Sequence, residues 1–238
     1  MAALNGAAGL ENALVIFSQD GSDPEIFDLA MNKLTLPKNK IHLWHRRPWF
    51  GIPSLKDNEF ATTDNVFSLL TFAFDVLRAP GAIILESDIV PSHDFYEFFQ
   101  WTHRTVLRNP QYEKRVFNIN GFNMDSSASA DRLRLRADSF AVWGWSMADT
   151  MWPIVRDNFA VFHNWDHEMQ RTRKRFGLVS LTPIVSRTRH IGIKGVNFQI
   201  SEQDPVVQRW LSLYIPENRT DFADQVPHID SLEFKESE

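Results

Sequence analysis

Residues 82–91 read Ala-Ile-Ile-Leu-Glu-Ser-Asp-Ile-Val-Pro, four apolar residues running straight into two carboxylates before a proline stops the run. An uninterrupted apolar segment of this length predicts a buried strand of a parallel sheet, covered on both faces. Open α/β sheets bind ligands beyond the carboxyl ends of their strands, and Glu86 and Asp88 stand at that end. Hard oxygen ligands so placed suit a divalent cation that holds a phosphorylated substrate. The plainer alternative is that Ser87 and Asp88 only finish a strand and open a turn. An acid-x-acid triplet alone does not separate the two.

The rest of the chain repeats the theme. Residues 13–18 form a second apolar run that ends at Gln19-Asp20-Gly21, again an acid at a strand's carboxyl end. A helix over 25–34 and a strand over 41–44 follow. The polar, Pro-containing segment 45–59 is too long for a minimal connection and is a candidate ligand loop. Thr62 or Asp64 can cap a helix whose apolar face is Val66, Leu69, Leu70, Ala73, Phe74 and Leu77. Ser92 is placed to cap a second amphipathic helix ending at Asn109-Pro110. Beyond it the pattern predicts a strand over 116–121 and an exposed strand edge where Arg132, Arg134 and Arg136 alternate. A helix over 146–159 follows, kinked at Pro153, and then one over 165–175 with a basic end. A last strand over 182–187, a mobile loop over 190–199 and one more helix beyond Asp204 complete the order. Strands alternating with helices predict an α/β fold with parallel pairing. The domain reading is a flexible lead-in over 1–12, a catalytic domain over 13–215 and an acidic tail over 216–238.

Composition removes whole classes of function. A formal charge of −5 argues against a general nucleic-acid binder, which needs a basic surface. The absence of cysteine excludes disulfides, thiol catalysis and Cys-based zinc sites, and mildly favours a reducing, cytoplasmic setting, with the Golgi lumen as the alternative if the parent chain carries an upstream anchor. No stretch has the length and apolarity of a membrane span. Asn218-Arg219-Thr220 is a formal glycosylation sequon, informative only in a luminal protein.

Taken in register, several short motifs carry a resemblance. They are Ser18-Gln19-Asp20, the 80–91 stretch with Asp94-Phe95, Arg136 and Asp138 before Gly144-Trp145, Trp165-Asp166, Ser186-Arg187-Thr188, and Gly192 through Asn197. Together they resemble the N-acetylglucosaminyltransferase I and protein O-mannose N-acetylglucosaminyltransferase family. The resemblance implies a GT-A fold, a mixed, mostly parallel sheet with helices on both faces. It implies an inverting transfer from UDP-N-acetylglucosamine to a glycan or glycoprotein acceptor, with Mn2+ (or Mg2+) as cofactor. It places Asp20 at the uridine, Asp88 at the metal, with Glu86 and Ser87 beside it on the donor side. Asp166 falls on the catalytic base and Trp165 on a residue near the acceptor. Trp145, in the part that shapes the sugar pocket, is the second acceptor-side candidate. Lys194 and Asn197 fall on a loop that closes over the donor phosphates. Ser87 departs from the family, which usually has an acid there, and Asn65 stands where one branch has a nucleotide-binding His. Ala141-Val142-Trp143 replaces the usual Pro-Gly-Leu, and the family's first strand has no counterpart before Ala13.

His163 and His167 have zinc-like spacing on a helix, but the order a metalloprotease needs, Glu next to the first His, is absent. The presence of both Asp88 and Asp166 favours an inverting glycosyltransferase, because a binding module has no need of a base; the alternative is a non-catalytic sugar or nucleotide-sugar binding module on the same fold.

Overall fold

The structure, a computed structural model, describes residues 1–20, 24–37, 40–46, 57–160, 164–195, 198–199, 201 and 203–232. Twelve strands and seven α-helices are found among them. The strands are β1 (Val15–Asp20), β2 (Ile41–Arg46), β3 (Gly81–Ile84), β4 (Ile89–Pro91), β5 (Val116–Asn120), β6 (Arg134–Asp138), β7 (Trp145–Ala148), β8 (Val179–Pro183), β9 (Thr188–His190), β10 (Lys194–Gly195), β11 (Phe198–Gln199) and β12 (His228–Ile229). The helices are α1 (Ala2–Asn5), α2 (Pro24–Asp28), α3 (Asp57–Thr71), α4 (Phe95–Thr102), α5 (Trp152–Asn158), α6 (Trp165–Arg175) and α7 (Pro205–Leu211).

Six strands form the central sheet in the order β12-β6-β8-β5-β7-β3, while β1 pairs in parallel with β2. The expected α/β architecture is present, with a smaller parallel share than the pattern implied. In the six-stranded sheet β12–β6 and β5–β8 are parallel; β6–β8, β5–β7 and β3–β7 are antiparallel. The reason is β7, which enters between β3 and β5 running against both. Residues 146–148 therefore form a strand rather than a helix. Pro153 sits in the first turn of α5 instead of kinking a longer helix, a position where its missing N–H has no partner to lose.

Side chains of β5 alternate between two apolar layers. Val116 and Ile119 join the α4 residues Phe95, Phe98 and Trp101 on one face. Phe117 joins Leu70, Trp145, Val155 and Met169 on the other, beneath α3, α5 and α6. The sheet is thus covered on both sides. Among its polar interior residues, Asn118 donates to Asn120, and Asn120 donates to Thr182 and to the Ser139 carbonyl at 2.8 Å each.

Several boundaries differ from the periodicity. α3 begins at Asp57, ahead of the expected caps, and α6 has its expected ends. β8 covers Val179–Pro183 and is followed by a separate β9, where one strand over 182–187 was expected. The 134–138 strand lies between β12 and β8 rather than at an edge. Residues 194–195 and 198–199 pair as β10 and β11 within the segment read as a loop. Ala7 and Leu10 of the lead-in, and Phe222 of the C-terminal segment, are buried in the first apolar layer. Among the described residues, no helix is long and apolar enough to cross a membrane.

Candidate functional site

The opening stretch divides in the folded chain. β3 stops at Ile84, Glu86 to Asp88 form a turn closed by the Ile89 N–H donating to the Glu86 carbonyl at 3.2 Å, and β4 resumes at Ile89. β3 is half-buried and pairs only with β7 among the described residues, antiparallel, so it is not the doubly covered parallel strand that its composition suggested. The acids still leave the carboxyl end of β3, as predicted. The turn leaves Ser87 exposed and Glu86 and Asp88 partly buried.

β9 is what completes this turn. It runs antiparallel to β4 with His190 opposite Ile89, and the Ile191 N–H donates to the Asp88 carbonyl at 2.9 Å. His190 Nε2 lies 3.2 Å from Asp88 Oδ2; the carboxylate is 43% exposed and the imidazole only 7%. The ring is held by aromatic contacts with Trp143 and with Trp210 of α7, at centroid separations of 5.1 and 5.6 Å. Gly192 packs so closely that a Cβ there would stand 2.4 Å from Asp88 Oδ2. His190 escaped the sequence reading because only the β4–β9 pairing, a tertiary fact, brings it to the acids.

Asp166 opens α6, and its Oδ1 accepts from the His167 N–H at 2.8 Å. The Trp165 N–H, an orphan donor at a helix start, donates to Thr63 Oγ1 of α3 at 3.0 Å, which fixes where this helix begins. Glu86 senses both acids. Burial first, then the negative charge of Asp88, raises its carboxyl to about 7; His190 opposes and Asp166 adds to the rise. Glu86, Asp88, His190 and Asp166 thus share one electrostatic neighbourhood, which takes in three of the four acids singled out from the sequence, Asp20 being the fourth.

The two tryptophans are placed differently from a ligand platform. Trp145 is fully buried and Trp165 is 6% exposed. Their rings stack at 6.0 Å, with Phe140 edge-on to both. They belong to the apolar layer beneath α3, α5 and α6, with no open face for a sugar ring. Asp20 ends β1 opposite Arg46, and Ser18 of the same strand donates to Asn65 of α3. Lys194 begins β10. Asn197, His163 and residues 47–56 of the predicted ligand loop lie outside the described residues.

Other motif residues acquire structural roles. Arg187 is completely buried and pairs with equally buried Asp94 at 3.3 Å. Its guanidinium donates to the Arg132 carbonyl at 2.8 Å and lies 4.8 Å from the Phe98 ring centroid. Burial lowers its pKa to about 10, against the opposing pull of Asp94. Asp94 also accepts from Ser92 and Thr220 and itself stands at the N-cap of α4, the position expected for Ser92. Gly144 has φ +84, and a Cβ there would meet Thr188 Cγ2 at 2.6 Å. Only glycine fits both demands. Arg136 faces Asp138 at 3.5 Å and Asp125 at 3.8 Å, a surface network.

The donor set suits a magnesium- or manganese-like cation. Such ions take one or two carboxylates and let substrate phosphates complete the shell. Asp88 offers a partly exposed carboxylate, and Glu86, its carboxyl raised first by burial and then by the charge of Asp88, stands two residues before it. Among the described residues no three His, Asp or Glu side chains are grouped to hold a metal by themselves.

The GNT-I family model matches residues 67–203, more than half of the 238-residue chain. The matched span contains Glu86, Ser87, Asp88, Asp166, His190 and the 192–197 segment, and leaves Asp20 outside.

Proposed function

The chain belongs to the GNT-I family and is a glycosyltransferase, and from that premise we propose an inverting, metal-assisted transfer of N-acetylglucosamine from its UDP-sugar to a hydroxyl of a glycan or glycoprotein. The observation that carries this reading is the shared field of Glu86, Asp88 and Asp166. Acids on the turn after β3 and at the start of α6, far apart in sequence, both raise the Glu86 carboxyl.

An inverting transfer needs a base on one side of the anomeric carbon and a stabilised leaving group on the other. Asp166 is the base. Its Oδ1 is engaged by the His167 N–H, which orients the carboxylate and leaves Oδ2 to take the acceptor's proton. The acceptor oxygen bonds to the anomeric carbon as the bond from that carbon to the diphosphate oxygen breaks, and UDP leaves with the bonding pair. Trp165 and Trp145 exclude water behind the base. Asp88, kept in place by His190 and the close backbone of Gly192, would hold the cation. When bound, Mn2+ (or Mg2+) offsets the charge that develops on the diphosphate. Glu86 supports the turn, Ser87 presents an exposed hydroxyl to the donor's ribose side, and Asp20, Lys194 and Asn197 are assigned to the nucleotide and its phosphates.

The test is release of UDP from UDP-N-acetylglucosamine, with and without Mn2+, in the presence of mannose-terminated acceptors. Turnover should need the metal. Asp166→Asn should lower kcat by about 10²-fold or more, the usual scale of lost general-base catalysis, and Asp88→Ala should abolish the metal response. Binding of the nucleotide-sugar without turnover under any of these conditions would support the binding-module reading instead.

A further inference from the structure

A cavity of about 490 Å³ opens beside the β4–β9 ladder, walled by Gly6 of the lead-in, Pro91, Arg189, Ser212, Tyr214 and Glu217 among others. It lies close to the site already described. Arg189 pairs with Val90 one register step from the His190–Ile89 pair, about 3.3 Å along the strand. Its volume falls in the range typical of small-molecule sites.

Two charged side chains lining this cavity are unengaged. Arg189 has no hydrogen-bond or ion-pair partner among the described residues, and its Nε is buried. A buried donor without a partner is costly and calls for an explanation. Glu217, exposed and lining the same cavity, also lacks a partner among the described residues, and the two do not pair with each other. Other polar groups are occupied: Ser212 Oγ donates to the Gln208 carbonyl at 2.7 Å, and the Tyr214 hydroxyl accepts from Arg132 at 3.0 Å. Opposite charges that line one cavity without pairing fit a ligand that carries both an anionic group and hydroxyl donors.

We propose that this cavity binds a carboxylate-bearing saccharide unit, its carboxylate on the Arg189 guanidinium and its ring hydroxyls donating to Glu217. The planar guanidinium matches a carboxylate in bidentate geometry. Glu217 disfavours a doubly charged phosphate, and Pro91 and Tyr214 offer apolar surface to a pyranose ring. That the unit belongs to the acceptor rests on the glycosyltransferase reading; the binding site itself does not.

The experiment titrates the full chain with methyl glucuronide, methyl glucoside and glucose 6-phosphate, following amide shifts by NMR. Methyl glucuronide should bind and shift amides around Gly6, Arg189 and Glu217. Arg189→Gln should weaken it at least about tenfold, the effect of losing a charged hydrogen bond. Arg189→Lys, which keeps the charge without the fork, should fall between. Equal binding of glucuronide and glucoside, tighter binding of the phosphate ester, or indifference to Arg189→Gln in a folded variant would each overturn the assignment. UDP release measured in parallel separates failure of this site from failure of the transferase reading.

Discussion

Glu86 couples the charge of the site to the stability of the fold. Its carboxyl is raised from 4.5 to about 7, so between those values the folded state holds a proton that the unfolded chain releases. Stability of the metal-free protein therefore falls as pH rises through that window and is flat above it, by up to about 3 kcal/mol in all. Glu86→Gln should remove this slope, which urea unfolding at several pH values in the presence of a chelator will read. Gly192→Ala tests the neighbouring acid. A methyl group 2.4 Å from Asp88 Oδ2 must displace the carboxylate. Mn2+ activation should then shift to higher concentration, about tenfold, while the melting temperature moves little. The acids themselves were legible in the sequence, because strand-end carboxylates and a first-turn Asp leave local signatures. His190 and the close approach of Gly192 were not, since both depend on which strand pairs with β4.

Elements are placed by a few buried polar contacts between them. The Asp94–Arg187 pair joins the start of α4 to the start of β9, the strand that delivers His190. Asp94→Ala would strand a fully buried guanidinium and should cost about 3–5 kcal/mol; Asp94→Asn, which keeps acceptors for Ser92 and Thr220, should cost less. Denaturant midpoints of both variants check the order. Local pattern foresaw α6 to its ends, since its cap region and basic last turn are strong signals. It misassigned residues 146–148, because Met147 and Ala148 carry helix propensity and only insertion between β3 and β5 makes them a strand.

At the scale of the whole molecule, residues 7–10 and 222–225 are both part of the body. Ala8 donates its N–H to the His93 carbonyl at 2.8 Å, and Phe222 stacks on Trp101 with centroids 5.0 Å apart. The Trp101 indole donates to the Gln225 carbonyl at 2.9 Å. Phe222→Ala should therefore destabilise the protein by about 3–5 kcal/mol, as a core aromatic does, against near neutrality for a residue in a free tail. Thermal or urea unfolding distinguishes the two. Acidic composition concealed this, because the count of charges in 216–238 outweighs the one ring that docks. The meeting of Asp94, Arg187 and Thr220 has a consequence for biosynthesis. A chain made from its N-terminus completes every proposed catalytic residue before it reaches Thr220, yet Asp94 lacks one of its buried partners until that residue emerges. The nascent protein thus carries an incomplete polar network around the buried Asp94–Arg187 pair until Thr220 emerges, and the arrival of that hydroxyl is the step that completes it.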